Sequence, residues 1–297
     1  MGGTVKDDGQ WVEVGGRRVR LTHLDRVLYP EGFTKGEMVH YYSQVADAIL
    51  PQLRDRPVTR IRFPEGVQGE RFFEKNVPRG APDWLRHQVL HASPGTDDEG
   101  TQVDFPFLDD LAGLVWAANA GAIELHTPQW RVGPRGGVRT PDRLVIDLDP
   151  GAPAGLDECA AVAHVVADRL AEDGLELTYP VTSGSKGMQL YAPLDGRRTA
   201  VQVRQYARDV AHELAQAHPR QVVANMKRDL RPGKVLLDWS QNHPAKTTVT
   251  PYSLRGRELP RVAAPRTWDE IGPGLTQLSP DEVLHRLEAD GDLLAEG

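Results

Sequence analysis

The segment Leu144-Val145-Ile146-Asp147-Leu148-Asp149-Pro150 alternates apolar and acidic residues, then stops at Pro150-Gly151. That is the pattern of a strand carrying two carboxylates to its end, because side chains of a strand alternate between its faces. Asp147 and Asp149 therefore share a face, a few ångströms apart. Carboxylates so placed repel each other unless a cation lies between them. Oxygen-only ligands at a strand end suit Mg²⁺ or Mn²⁺. Taken alone, the pattern also fits a solvated turn after a buried strand, an aspartyl phosphatase or a metal-dependent sugar transferase. The phosphatases usually follow with threonine or valine, where Gly151 and Ala152 stand here.

Working outward, 157–172 reads as an amphipathic helix, and 176–182 and 188–191 read as strands around the turn Ser183-Gly184-Ser185-Lys186-Gly187. A helix over 199–217 and strands at 221–224 and 234–239 complete the order βαββαβ, a split-βαβ arrangement. In such a sheet the first strand is central, with the third on one side and the last on the other. Asp238, in Val235-Leu236-Leu237-Asp238-Trp239, can then join the first pair. Three carboxylates on adjoining strands can hold two divalent ions about 3.5–4 Å apart, an arrangement suited to phosphoryl chemistry. The turn at 182–187 is too short for a Walker A loop, yet its N–H groups, Ser183, Ser185 and the Lys186 ammonium make a workable anion cradle.

Toward the N-terminus, 11–22 reads as a hairpin around Gly15-Gly16, and the Thr34/Glu37 capping box opens a helix through about Leu50. A strand over 58–63 places Arg60 and Arg62 on one face, 93–104 reads as an exposed loop, and a helix near 109–120 leads into 122–126. The expected fold class is α+β. A flexible tail (1–10) precedes one domain (11–272), with an N-terminal α/β subdomain over about 11–140, a palm over about 141–255, and a helical tail at 273–297. Several residues are ambiguous by themselves. Phe72 and Phe73 lie on opposite faces of an extended stretch, so one can offer a stacking platform or both can be core. His126 is a lone histidine, and Lys246 and Arg255 are cations shortly after Asp238. Cys159 reads as packing.

Composition narrows the class. The single cysteine excludes a disulfide framework and a cysteine zinc site. No apolar run approaches a membrane span, and 1–10 lacks a secretory pattern, so a cytoplasmic protein with no membrane partner is expected. The net charge of −7 argues against non-specific nucleic-acid binding, yet only seven of 35 basic residues are lysine, and the arginines cluster. Clustered arginines on an acidic chain point to a local site.

The ordered set D-L-D-P, T-S-G-S-K-G, D-W-S-Q-N and P-Y-S-L-R-G, with R-V-L-Y-P (26–30), F-F-E-K (72–75) and H-T-P-Q-W (126–130), resembles the polymerase domain of bacterial ATP-dependent ligase D. That domain belongs to the archaeo-eukaryotic primase superfamily, and the resemblance runs from about 19 through 268. It implies a primase-like fold, a split-βαβ palm packed on the N-terminal subdomain, in a stand-alone member or an excised domain. It implies that Asp147, Asp149 and Asp238 bind metal, Mn²⁺ or Mg²⁺ in a two-metal site. Ser183, Ser185, Lys186, Gln189, His126, Arg255 and Lys246 would hold an incoming NTP or dNTP, with Phe72 or Phe73 stacking nearby. Arg26 and Lys35 would grip the 5′-phosphate of a gap or break, Arg26 standing where lysine is common. A DNA ligase and end-binding repair proteins are the implied partners, and gap filling in non-homologous end joining the implied work. One departure is Gln189, where the family usually has a histidine; glutamine offers a neutral amide donor to phosphate. The alternative it raises is a non-catalytic DNA-end or gap-binding module.

Overall fold

The computed structural model describes residues 9–95, 101–176 and 179–295. The chain begins with a hairpin of β1 (Gln10–Val14) and β2 (Arg17–Leu21), so strand structure starts inside the expected tail, of which 1–8 lie outside the described residues. The Thr34/Glu37 capping box opens α1 (Lys35–Gln44), but the expected single helix breaks at Val45 and resumes as α2 (Ala46–Leu53). Val45 has ψ near 6° and is fully buried. Turning the axis there keeps Met38, Tyr42, Ile49 and Leu53 on one core.

Strands β3 (Thr59–Arg62) and β4 (Phe72–Glu74) pair antiparallel, as do β5 (His87–His91) and β6 (Gln102–Pro106). The expected loop at 93–104 thus gives way to strand from Gln102, where Val103 and Phe105 turn into a small core, while 96–100 lie outside the described residues. Arg60 and Arg62 both reach the Glu74 carboxylate, at 3.2 and 2.7 Å, as a shared face requires. Helix α3 (Leu111–Asn119), capped by Asp110, leads into β7 (Ala122–Thr127), which pairs with β3.

The second half carries β8 (Arg143–Pro150), α4 (Leu156–Glu172), β9 (Val181–Thr182), β10 (Met188–Pro193), α5 (Ala200–Ala217), β11 (Val222–Val223) and β12 (Val235–Asp238). Of the strand expected over 176–182, the described residues are strand only at Val181–Thr182, following Pro180, which has no N–H to give a ladder; 177–178 lie outside the described residues. Then come β13 (Thr248–Val249), β14 (Leu254–Arg255), β15 (Arg261–Val262), β16 (Ala264–Pro265) and α6 (Pro280–Asp290). The palm sheet runs β11-β12-β8-β10-β9-β16, with β8 between β10 and β12, and the N-terminal sheet runs β13-β7-β3-β4.

Strand β8 explains how the two sheets meet. Its even residues Leu144, Ile146 and Leu148 pack against Ala163, Val166 and Val210 of α4 and α5. Its odd residue Val145 joins Val181, Tyr191, Val249 and Ala263 in a separate apolar plug between the sheets. Full burial of such a side chain contributes about 1.5–3 kcal/mol. The odd-numbered face of β8 therefore looks into the cleft, with Arg143 at one end and Asp147 and Asp149 at the other. The C-terminal helix α6 returns to the N-terminal core through Val283, Leu284 and Leu287.

Candidate active site

Register places the carboxylates. Asp238 on β12 is the direct partner of Asp147 on β8, Gln189 on β10 is its partner on the other side, and Asp149 lies two residues along. All four side chains leave the same face of the sheet. Each has a hydrogen-bonding neighbour. Gln189 Nε2 donates to Asp147 Oδ1 at 2.8 Å. Arg231 Nη1 lies 3.3 Å from Asp149 Oδ2. Asp238 accepts from the Ser240 N–H at 3.0 Å, from the Ser240 hydroxyl and from Gln241 Nε2 at 3.1 Å.

The electrostatics of this face are unfavourable as the protein stands. Burial pushes the Asp147 carboxyl up, Gln189 pulls it partly back, and Asp238 and Asp149 add to the rise, to about 7. Among the described residues no three His, Cys, Asp or Glu side chains close on one point. Arg231, Ser240 and Gln189 turn the carboxylates toward themselves instead. The donor set nonetheless fits a hard divalent cation: all oxygen, anionic, on adjoining strands and costly without positive charge.

Beside the carboxylates lies a cavity of about 330 Å³ lined by His126, Asp147, Asp149, Ser183, Ser185, Lys186, Gln189 and Arg255, with Gln241, Thr248 and Arg257. The turn between β9 and β10 forms one wall. Gly184 has φ +66° and a Cβ there would meet Arg255 Cγ at 2.6 Å; at Gly187 a Cβ would run into the Leu148 carbonyl oxygen. Gly187 lets the turn press against the D-x-D strand and Gly184 lets it approach Arg255 and Val262, with Lys186 in the same cavity lining as Asp147 and Asp149. Arg255 donates through Nη1 to the Ser183 carbonyl at 2.7 Å, and Arg257 Nε to Ser185 Oγ at 3.1 Å.

Glu124, which spacing alone did not single out, organises the far wall. It is buried, takes His126 Nε2 at 2.7 Å and the Gly256 N–H at 2.9 Å, and lies 3.3 Å from Arg255 Nε. Burial pushes its carboxyl up, but His126, Arg255 and Gly256 together hold it well below the usual carboxylate range. Because a carboxylate only accepts, His126 carries its proton on Nε2. Burial lowers the imidazole against the pull of Glu124, so Nδ1 is left as an acceptor. The signal in sequence was alternation: Glu124 and His126 share a strand face.

Other expected residues fall outside that cavity lining. Asp238 stands beside Asp147 but faces Ser240, and Lys246 reaches the Ser240 hydroxyl, 3.9 Å from Asp238. Phe73 is 54% exposed and Phe72 37%, so neither is core; both sit on β4, whose neighbour Lys75 donates to the Ala245 carbonyl at 3.2 Å. Arg26 and Lys35 are brought together, the Lys35 N–H donating to the Arg26 carbonyl at 2.8 Å. The Lys35 ammonium is buried and donates to the Thr22 carbonyl at 2.6 Å, while Arg26 pairs with Glu65 at 2.7 Å. Cys159 is buried beneath β8, its thiol pushed up by burial, as packing requires.

Residues 34–294 match the family described as the primase-polymerase domain of LigD. The multifunctional non-homologous end joining protein LigD of Mycolicibacterium smegmatis is 48% identical over 282 residues, 94% of this chain and 36% of that protein. The bifunctional non-homologous end joining protein LigD of Bacillus subtilis is 33% identical, over 92% of this chain and 43% of that protein. The chain thus spans well under half the length of these relatives. A solved structure, the polymerase domain of Mycobacterium tuberculosis ligase D in complex with DNA, superposes with TM-score 0.87 and 46% identity, covering 93% of this chain and 96% of that one. Among the described residues no helix is long and apolar enough to cross a membrane.

Proposed function

We propose a role that starts from one premise: the chain belongs to the LigD primase-polymerase family. It is a nucleotidyltransferase of the primase-polymerase type. We read its work as template-directed extension of a primer 3′ end at gaps or breaks in DNA, with ribo- or deoxynucleotides, during end joining. The observation that carries this reading is the register that sets Asp238 opposite Asp147, with Asp149 two residues on, at the mouth of a cationic cavity.

Manganese or magnesium held by Asp147, Asp149 and Asp238 would supply Lewis-acid activation of the 3′-hydroxyl and charge stabilisation at the α-phosphate. The chain's own residues do the rest. Lys186, with Ser183 and Ser185, offers an ammonium, hydroxyls and N–H groups to a triphosphate. Arg255, held by Glu124 and the Ser183 carbonyl, presents a fixed positive charge to the same ligand. His126 Nδ1 accepts from a hydroxyl, which matches a sugar better than a phosphate. Phe72 and Phe73 offer exposed rings for base stacking. Arg26 and Lys35 would take the 5′-phosphate across the gap, exchanging Glu65 and Thr22 for it. A 5′-phosphorylated DNA gap, NTPs, a ligase activity and end-binding repair proteins are the partners this role needs, in the cytoplasm.

One observation favours the second reading, a non-catalytic end-binding module: Gln189 is neutral and gives one of its two amide N–H groups to Asp147. Extension of a gapped duplex separates the two. The polymerase reading expects Mn²⁺-dependent incorporation, faster with a 5′-phosphate on the gap and abolished in the Asp147→Ala/Asp149→Ala variant. Tight, salt-sensitive gap binding without incorporation in either metal would establish the module instead.

A further inference from the structure

We propose that a second cavity, at the opposite end of β8 from the carboxylates, binds a phosphomonoester carried on a flat organic body. It encloses about 350 Å³ between α2, the start of β8, β10 and the residues Leu293 to Ala295. Arg56, Arg131 and Arg143 line it against one carboxylate, Asp142. Asp142 is fully engaged by two of them: Arg56 Nη2 reaches both oxygens at 2.8 and 2.7 Å, and Arg131 Nε reaches Oδ2 at 2.8 Å. Arg143 has no carboxylate among the described residues. Its Nε donates to Gln129 Oε1 at 2.7 Å, its Nη2 to Thr127 Oγ1 at 3.1 Å, and its guanidinium lies over the Tyr191 ring at 5.0 Å.

The local balance is an excess of two positive charges in a partly enclosed space. Two of the three guanidiniums are deep, Arg56 at 1% and Arg143 at 8% exposure, and Arg143 is the one without a carboxylate. Burial, and next the charge of Arg143, lower Arg56 to about 9, and burial with Arg131 lowers Arg143. A second observation is independent of charge: Arg56 Nε is buried with no hydrogen-bond partner among the described residues. That atom stays unsatisfied inside the wall, and Arg143, which has no carboxylate, is the guanidinium that would take an acceptor from the cavity.

The chemistry of that acceptor follows from the lining. A phosphomonoester carries nearly two negative charges, which matches the excess, and its oxygens fit guanidinium forks. Tyr179, Tyr191, Pro193 and Pro251 supply flat apolar walls, so the phosphate's organic body belongs there. The volume falls at the lower end of small-molecule sites. The site is separate from the nucleotide cavity, sharing none of its lining residues. Along β8, Arg143 and Asp147 are about 13 Å apart, with the Val145 plug between them. The inference does not depend on the polymerase reading.

Calorimetric titration of the full chain with phenyl phosphate, inorganic phosphate and benzoate tests it. Phenyl phosphate should bind saturably, about tenfold more tightly than either of the others. Arg143→Gln should weaken it at least about tenfold and Tyr179→Ala about threefold, whereas Lys186→Ala, in the other cavity, should leave it unchanged. Tyr179 is 38% exposed, so its replacement keeps the test open if Arg143→Gln does not fold. Absence of saturable binding, equal binding of benzoate, or loss in Lys186→Ala with none in Tyr179→Ala would overturn the assignment.

Discussion

The two ends of β8 face two separate cavities and carry opposite charge. Near the C-terminal end, Asp147 and Asp149 with Asp238 gather negative charge; at the N-terminal end, Arg56, Arg131 and Arg143 gather positive charge around Asp142 alone. The Val145 plug keeps the two apart. Elsewhere the balance is closer: Arg255, beside His126, faces the Glu124 carboxylate, and Arg60 and Arg62 share Glu74 with one positive charge left over. At both ends of β8 the excess is larger, and the proposed ligands would supply the missing charge. An acidic excess calls for cations and a basic excess for an anion, and one strand face carries both.

The largest break in this comparison comes from removing the acidic end. Asp147→Ala with Asp149→Ala should lower primer extension by at least about 10³-fold, because positioning and charge stabilisation at the reacting phosphate are lost together. Retained extension in that variant would detach the acidic end from the chemistry.

Next is the contrast with a neutralised site. Glu124→Gln should destabilise the fold by about 3 kcal/mol in urea unfolding, since it leaves Arg255 buried beside a neutral group. The pH dependence has a definite sign. The Glu124 carboxyl is depressed in the folded state, so its contribution is full above the usual carboxylate range and fades as pH falls through and below it. The acid limb of the stability curve should therefore be shallower in Glu124→Gln than in the wild type.

Asp147 should behave in the opposite way. Its carboxyl is raised to about 7, so its contribution is full below about pH 4 and is lost as pH rises through 7. Asp147→Asn should stabilise the metal-free protein at pH 8 by on the order of 1–2 kcal/mol, an advantage that vanishes near pH 4. Added Mn²⁺ should raise the melting temperature of the wild type and not of Asp147→Asn. An unchanged or lower stability of Asp147→Asn at pH 8 would mean that the acidic end is not under electrostatic load.

The smallest effect concerns the hinge between cation and nucleotide sites. Gln189 Oε1 is buried without a partner among the described residues, while one Nε2 N–H goes to Asp147. Gln189→His should lower the KM for nucleotide severalfold with little change in stability, because a protonatable ring can donate to phosphate. A KM that stays put would show that this position serves Asp147 alone.

Much of this was legible in the residues. Alternation in 144–150 and the element order that follows it placed β8 centrally and Asp238 beside it, because register is dictated by which face must be buried. What alternation cannot carry is side-chain partnership between distant segments. Glu124 was passed over because its value comes from Arg255 and Gly256, more than a hundred residues away. The basic cavity was invisible for the same reason: Arg56, Arg131 and Arg143 look like solvated arginines until the sheets close. The break at Val45 and the short β9 were missed because local propensity is overridden by packing at the one and by Pro180 at the other.

The most direct measurement is anomalous diffraction from crystals soaked in Mn²⁺ with a non-hydrolysable nucleoside triphosphate. The account predicts manganese density among Asp147, Asp149 and Asp238, with Asp149 released from Arg231 and Lys186 on the triphosphate. Density absent from that face, with Asp238 still turned to Ser240 while nucleotide occupies the cavity, would contradict it.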